Sequence, residues 1–360
     1  AVTLSGADRT LTGTTITNTS TIAGGTNSLT ITGASVINGA ISGVNIFSVS
    51  GTTSIGADVT TSGTQTYTGA VTLTGATTLT TTNNNISFGS TIGNSSAQNL
   101  TFNTGSGTVS VTGAVGSGTA LGTITLTQTG GTTFSSTVNA ATVTLTNTTG
   151  TITFNGALTA TTLNTAAAGY NVAINAGGTI TNAVTFSNTG TVTLGDASGD
   201  SVTFTGGVTA TAPSQVNLAG TVQSTNTAIS LGDSDTPVVL TANTTLSGNT
   251  SGNITLGGTV NGGFTLTLNT TGTTTLSGVI GGSNALTSLT TNTGGTVAIN
   301  TTAITTTGAQ TFGENATLGA DVTLTSNSSG NISFAGTVES TTSARALTVN
   351  TSGTTTFTGT

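Results

Sequence analysis

Residues 59–92 read VTTSGTQTYTGAVTLTGATTLTTTNNNISFGSTI, and residues 304–338 read ITTTGAQTFGENATLGADVTLTSNSSGNISFAGTV. The two stretches correspond position by position, with one residue of slippage before the shared Asn-Ile-Ser-Phe. Within them, and along the rest of the chain, apolar residues alternate with hydroxyl residues. Val71-Thr-Leu73, Ile86-Ser-Phe88, Leu100-Thr-Phe102, Val109-Ser-Val111, Ile152-Thr-Phe154 and Val202-Thr-Phe204 share the pattern. Residues i and i+2 of a strand lie on one face, so the apolar set faces inward and Thr or Ser faces out. Gly, Asn and Ser bound each run and supply turn conformations. Such short runs do not build broad sandwich sheets; they suit the walls of a coil.

A second pair of matching stretches begins at Ser251 (SGNITLGGTVNGG) and at Ser329 (SGNISFAGTVEST). A unit of roughly 80 residues therefore recurs, with smaller units inside it. The aromatic residues reveal the smaller period. Tyr67 precedes Phe88, Phe134 precedes Phe154, Phe186 precedes Phe204, and Phe312, Phe334 and Phe357 follow one another. Each of these steps is about 20 residues, the length of one solenoid coil. Phe47, Phe102 and Phe264 stand outside these pairs, and Phe102 fits a second wall of the coil. One such coil cannot bury its own apolar face. Stacked about 4.8 Å apart, coils pair every strand with the turns above and below and pile their apolar side chains into files. The fold expected is all-β, a parallel β-helix (β-solenoid) with coils of about 20–23 residues. Residues 1–360 read as a single continuous solenoid of about 16 coils, near 75–80 Å long. Asn83, Asn84 and Asn85 are expected to hydrogen-bond along the axis. No cap pattern is visible, which suggests a segment of a longer chain or a unit that stacks end to end.

Composition removes most chemistry. The chain has no His, Cys, Met or Trp, only 2 Lys+Arg, and 9 Asp+Glu, for a net charge of -7. Thiolate and imidazole chemistry, disulfides and Ser-His-Asp arrangements cannot be built. Zinc, copper, haem and iron–sulfur centres lack their usual ligands. Arg9 and Arg345 are too few to neutralise phosphates, so no nucleic-acid partner is expected. No apolar run approaches the ~18 residues of a membrane-spanning helix, and no membrane insertion is expected. Few Glu and no Lys disfavour helix, while Thr, Val and Ile favour strand.

The phrases Thr305-Thr-Thr-Gly-Ala-Gln-Thr-Phe312, Leu318-Gly-Ala-Asp-Val-Thr-Leu324 and Val349-Asn-Thr-Ser-Gly-Thr-Thr-Thr-Phe357 resemble large bacterial exoproteins. These are the Thr/Gly/Asn-rich β-strand-repeat proteins similar to filamentous haemagglutinin and autotransporter passengers. The resemblance runs from about residue 50 to the end and lies in repeat style. It implies a right-handed parallel β-helix, an extracellular or cell-surface location in a bacterium, and a role in adhesion, biofilm or surface fibres. The family's amino-terminal secretion domain and carboxy-terminal barrel are not recognisable in these residues.

Candidate sites are sparse. Asp196 and Asp200 in Gly195-Asp-Ala-Ser-Gly-Asp200, and Asp233 and Asp235 in Gly232-Asp-Ser-Asp-Thr-Pro237, offer carboxylates at turns and are candidate calcium ligands. Neither stretch has EF-hand spacing or the Gly-Gly-x-Gly-x-Asp calcium repeat, and Asp in a solvated turn is the preferred account of both. No cofactor and no catalytic residue is expected. Sugar-cleaving β-helices use clustered acids and cations in a cleft, whereas carboxylates here are few and scattered. Thr-x-Thr triplets such as Thr72-Leu-Thr74, Thr123-Ile-Thr125 and Thr265-Leu-Thr267 would make an ice- or glycan-binding surface if they lined up coil after coil; their sequence spacing drifts. Asn18, Asn94, Asn243 and Asn331 lie in Asn-x-Ser/Thr sequons. The role expected is structural: a stiff, non-enzymatic rod, a surface fibre or adhesin stalk, associating with itself end to end or laterally, with surface glycans as possible partners.

Overall fold

In the computed structural model, which describes residues 1–359, strands of two to ten residues follow one another with no helix among the described residues. Every pairing between successive coils is parallel, and the coils amount to about 17 turns of a β-solenoid. Alternation decides which side chain goes in. Val71 and Leu73 are buried on either side of exposed Thr72, and Val109 and Val111 on either side of exposed Ser110. The chain separates into two compact units, Ala1–Ala173 and Ile174–Thr360.

In the first unit one wall is built by strands Phe47–Val49, Gln65–Tyr67, Ile86–Phe88, Val109–Val111, Thr132–Phe134 and Thr151–Phe154. Its inward file runs Ile31, Val49, Tyr67, Phe88, Val111, Phe134, Phe154. Tyr67 stacks on Phe88 at 4.9 Å between ring centroids, and Phe134 on Phe154 at 5.2 Å. These side chains are at most 3% exposed, and each burial contributes roughly 1.5–3 kcal/mol. Phe102 belongs to a different wall, in register with Leu79 below and Leu126 above, as its spacing implied.

In the second unit the corresponding file runs Leu246, Leu268, Thr291, Phe312, Phe334, Phe357. Phe312 and Phe334 stack at 4.6 Å. A second wall carries Ile229, Ile254, Thr274, Val297, Ala316 and Val338 in one inward file. Phe264 is 37% exposed and joins no file.

Two sequence expectations need correction. Phe186 and Phe204 are not one coil apart. Phe186 follows Val184 and Thr185, which pair with Val208 and Thr209, so its coil partner is Ala210; Phe204 lies in register with Ile180. The two rings meet edge to face at 6.2 Å from different walls. Coil length also varies more widely than the aromatic spacing implies. A short coil carries the chain from Phe47 to its partner Gln65, and a much longer one from Ile229 to its partner Ile254. The surplus residues sit in turns between walls and in bulges, such as the one that carries the register from Leu218–Leu240 to Gly220–Thr244 within the long coil.

Turn residues tie one coil to the next. Asn83 Oδ1 accepts the Ser106 N–H at 3.0 Å, and Asn85 Oδ1 accepts the Thr108 N–H at 2.9 Å. Asn99, Asn226, Asn253 and Asn315 do the same for Thr123, Thr250, Thr273 and Thr337. Asp8, Asp58 and Asp321 use a carboxylate oxygen in the same way, towards Ser28, Thr78 and Ala346. Each satisfies a backbone donor in a turn or near the start of a strand. Gly33 has φ +123°, and a Cβ there would lie 1.8 Å from the Gly13 carbonyl oxygen of the preceding coil, so only glycine fits.

Candidate functional site

The most extensive ordered feature on the outside is a file of hydroxyls. On the first unit's aromatic-lined wall, the residue between each inward pair faces out, and Thr10 continues the row between exposed Arg9 and Leu11. In register, coil by coil, these are Thr10, Thr30, Ser48, Thr66, Ser87, Ser110, Thr133 and Thr153. Two residues further along the strand stand exposed Thr12, Thr32, Ser50, Thr68, Thr112 and Ser135, with Gly89 and Asn155 interrupting the second row. The second unit has its own file: Ser201, Thr221, Thr245, Thr267, Thr290, Thr311, Ser333 and Thr356. No charged residue falls in either file. Neighbours are spaced at the coil repeat, about 4.8 Å. Sequence spacing concealed this alignment, because the turns vary in length while the strands stay in register.

The candidate calcium ligands form two separate turns. Asp200 Oδ2 accepts the N–H groups of Asp196 and Ala197 at 2.9 and 2.7 Å, closing its own turn. Partial desolvation and the adjacent Asp200 carboxyl raise the Asp196 pKa above its ordinary value. Asp233 Oδ1 accepts from Asp235 N and Thr236 N at 2.9 and 3.0 Å. Among the described residues no group of three or more His, Cys, Asp or Glu gathers where it would hold a metal. In the structure the Asp200 and Asp233 carboxylates stabilise their own turns.

The sequon asparagines are likewise occupied. Asn18 and Asn94 donate to the carbonyls of Gly39 and Ala120, while Asn243 and Asn331 accept from Thr265 N and Thr354 N. N-linkage at Nδ2 would take one of the two donor hydrogens of Asn18 and Asn94 and would leave the Oδ1 acceptors of Asn243 and Asn331 in place.

Inside the coils polar side chains, most of them Thr, stand among the apolar ones. Gln65 Nε2 donates to the Val59 and Thr80 carbonyls at 3.0 and 2.9 Å, and its Oε1 accepts the Tyr67 hydroxyl at 3.0 Å. Burial pushes the Tyr67 phenol up, so it stays neutral and donates. Gln310 repeats the amide contacts with Ile304 and Thr325. Phe312 stands where the earlier repeat has Tyr67, and Gln310 Oε1 has no partner. Glu314 is the more unusual group. It is 3% exposed, and neither carboxyl oxygen has a partner at hydrogen-bonding geometry. Burial drives its pKa up to about 7, with the Thr291 and Thr274 hydroxyls opposing part of the rise. Sequence reading passed over Glu314; the signal available was a lone acid directly after a core aromatic and one glycine, Phe312-Gly-Glu314.

The described residues also form concavities. One of about 480 Å³ is lined by Leu318, Val338, Glu339, Arg345, Leu347 and Phe357; another, of about 270 Å³, by Leu11, Ile16, Ile22, Ile31 and Ile37 among others. Neither gathers a pair of carboxylates. No protein-family model, curated protein or solved structure matches this chain.

Proposed function

We propose that the chain is a structural segment of an extracellular bacterial surface fibre or adhesin stalk, with no catalytic role. The observation that carries this reading is the division of labour between inside and outside. Aromatic and aliphatic files fill the interior, axial ladders and Asn bridges join coil to coil, and the outer strand faces carry neutral hydroxyls. A parallel ladder loaded along its axis shares force among many hydrogen bonds, which suits a spacer or fibre. With 3% charged residues, copies repel one another weakly, so lateral association of such rods is part of the proposal. Scarce Arg and absent Lys leave a trypsin-like protease almost no cleavage site.

The test is electron microscopy of the purified chain, with fibre diffraction on any ordered material. Rods or filaments with a ~4.8 Å axial repeat support the proposal. Compact particles that remain dispersed at every concentration, together with rapid proteolysis by a protease of broad specificity, refute it.

A second reading, an ordered-water or ice-binding face, is favoured by one specific observation: the unbroken file from Thr10 to Thr153. Hydroxyls at a constant repeat on a rigid face hold water in a fixed pattern. Thermal hysteresis or ice recrystallisation inhibition that is lost in Thr66→Lys supports this reading, and no effect on ice growth removes it. Binding of a surface glycan to the same face is tested by a glycan array.

A further inference from the structure

Glu314 lies at the corner between strand Gln310–Phe312 and strand Asn315–Leu318. Among the described residues it is the only buried side chain of an ionisable acid or base other than tyrosine. Three buried oxygens at this corner have no partner: Glu314 Oε1, Glu314 Oε2 and Thr274 Oγ1. Thr291 Oγ1 already accepts the Gly313 N–H at 3.1 Å and retains its own proton to donate. No cation offsets a charge here. Arg9 hydrogen-bonds to the Ser5, Ala7 and Asp8 carbonyls, and Arg345 lies in the exposed stretch 341–346. The strands packed against this corner are Thr273–Leu276, Ser288–Thr291, Thr296–Ile299, Gln310–Phe312 and Val338–Ser340. They contain one ionisable side chain, Glu339, which is exposed on the outer face in register with Thr317.

A single proton resolves all three orphans. A neutral carboxylic acid has one O–H, which donates to Thr274 Oγ1, and its carbonyl oxygen accepts from the Thr291 hydroxyl. The carboxylate can only accept, from the Thr274 and Thr291 hydroxyls, and two neutral hydroxyls in a site without countercharge do not offset the cost of burying its charge. We propose that Glu314 is a proton-operated latch: as the neutral acid it bridges Thr274 and Thr291 and holds the corner shut, and on releasing its proton to solvent it leaves the interior and opens residues 310–318. This latch does not depend on whether the chain builds fibres.

The sign follows from linkage. The folded-state pKa lies above the ordinary value of 4.5 and near 7, so the folded corner binds the proton more tightly than the open one does. Closure is fully favoured below the ordinary value, weakens as pH rises towards the raised value, and levels off above it. Between pH 6 and pH 8 the opening equilibrium rises about tenfold.

The experiment is hydrogen exchange with mass spectrometry on the whole chain at pH 6, 7 and 8, each rate corrected for the intrinsic pH dependence of exchange. Peptides spanning residues 308–320 are expected to open about tenfold more at pH 8 than at pH 6, peptides around Gln65–Tyr67 are expected not to change, and Glu314→Gln is expected to abolish the rise. A flat profile in the unaltered protein, or a rise that survives in Glu314→Gln, overturns the latch. Infrared spectroscopy gives a reading that needs no variant. A protonated carboxyl band persisting at pH 6, when exposed carboxyls are ionised, supports the assignment, and its absence overturns it.

Discussion

The two copies of the buried-glutamine motif set up a substitution whose sign follows from the structure. Gln65 and Gln310 make the same amide contacts with flanking carbonyls, but only Gln65 has its Oε1 satisfied, by the Tyr67 hydroxyl at 3.0 Å. Phe312 lacks that hydroxyl and leaves Gln310 Oε1 buried and bare. The surroundings are closely similar: Tyr67 sits between Val49 and Phe88 in its file, and Phe312 between Thr291 and Phe334, a near-isosteric exchange. Phe312→Tyr therefore supplies the missing donor in place. An unsatisfied buried acceptor costs about 1–3 kcal/mol and a neutral hydrogen bond contributes about 1 kcal/mol. A gain of about 1 kcal/mol is expected once some of it is lost to fitting the oxygen. The reciprocal Tyr67→Phe is expected to cost about 1–2 kcal/mol, since it leaves Gln65 Oε1 bare. Repeat arrays need not unfold in one step, so the measurement is native-state hydrogen exchange of peptides containing Gln310 or Gln65, backed by guanidinium midpoints. If Phe312→Tyr slows no exchange near Gln310 while Tyr67→Phe is silent near Gln65, the hydroxyl–amide bond carries no net stability and the reasoning fails.

Three further outcomes are expected. Phe154→Ala, at a fully buried ring stacked on Phe134, is expected to destabilise by about 3–5 kcal/mol through lost burial and a residual cavity, read as a lower denaturation midpoint. Asn253→Ala removes the acceptor for Thr273 N and is expected to cost about 1 kcal/mol, with faster amide exchange at Thr273 rather than global loosening. The stability of the coils around Glu314 is expected to fall by at most about 3 kcal/mol as pH rises from its ordinary value towards about 7, at roughly 1.4 kcal/mol per pH unit. Denaturation curves at pH 5 and pH 8 check this, and Glu314→Gln is expected to narrow the difference between them.

The sequence alone was enough for the class of fold. Alternation of apolar and hydroxyl residues over three to five positions assigns a face to each side chain, because a strand has a period of two. Val71-Thr-Leu73 and Ile152-Thr-Phe154 could be oriented without coordinates, and the nearly even recurrence of aromatics placed Tyr67 under Phe88 and Phe312 under Phe334. Those features are local, or repeat at nearly constant distance. The Asn83–Asn85 bridges were legible for the same reason: an amide at a turn has few partners except the next coil.

What tertiary structure decided depends on turn length. Coils as short as the one from Phe47 to Gln65 and as long as the one from Ile229 to Ile254 keep their wall strands paired by storing the difference in turns and bulges. Spacing in the sequence therefore no longer reports height in the stack. That is why Phe186 and Phe204 looked like one step and prove to meet across the interior. It is also why the sequence did not show that the outward residues from Thr10 to Thr153 form one file. Glu314 is the strongest case. Nothing local marks this acid as buried; it meets the Thr274 and Thr291 hydroxyls of earlier coils, and burial depends on walls distant in sequence whereas alternation does not.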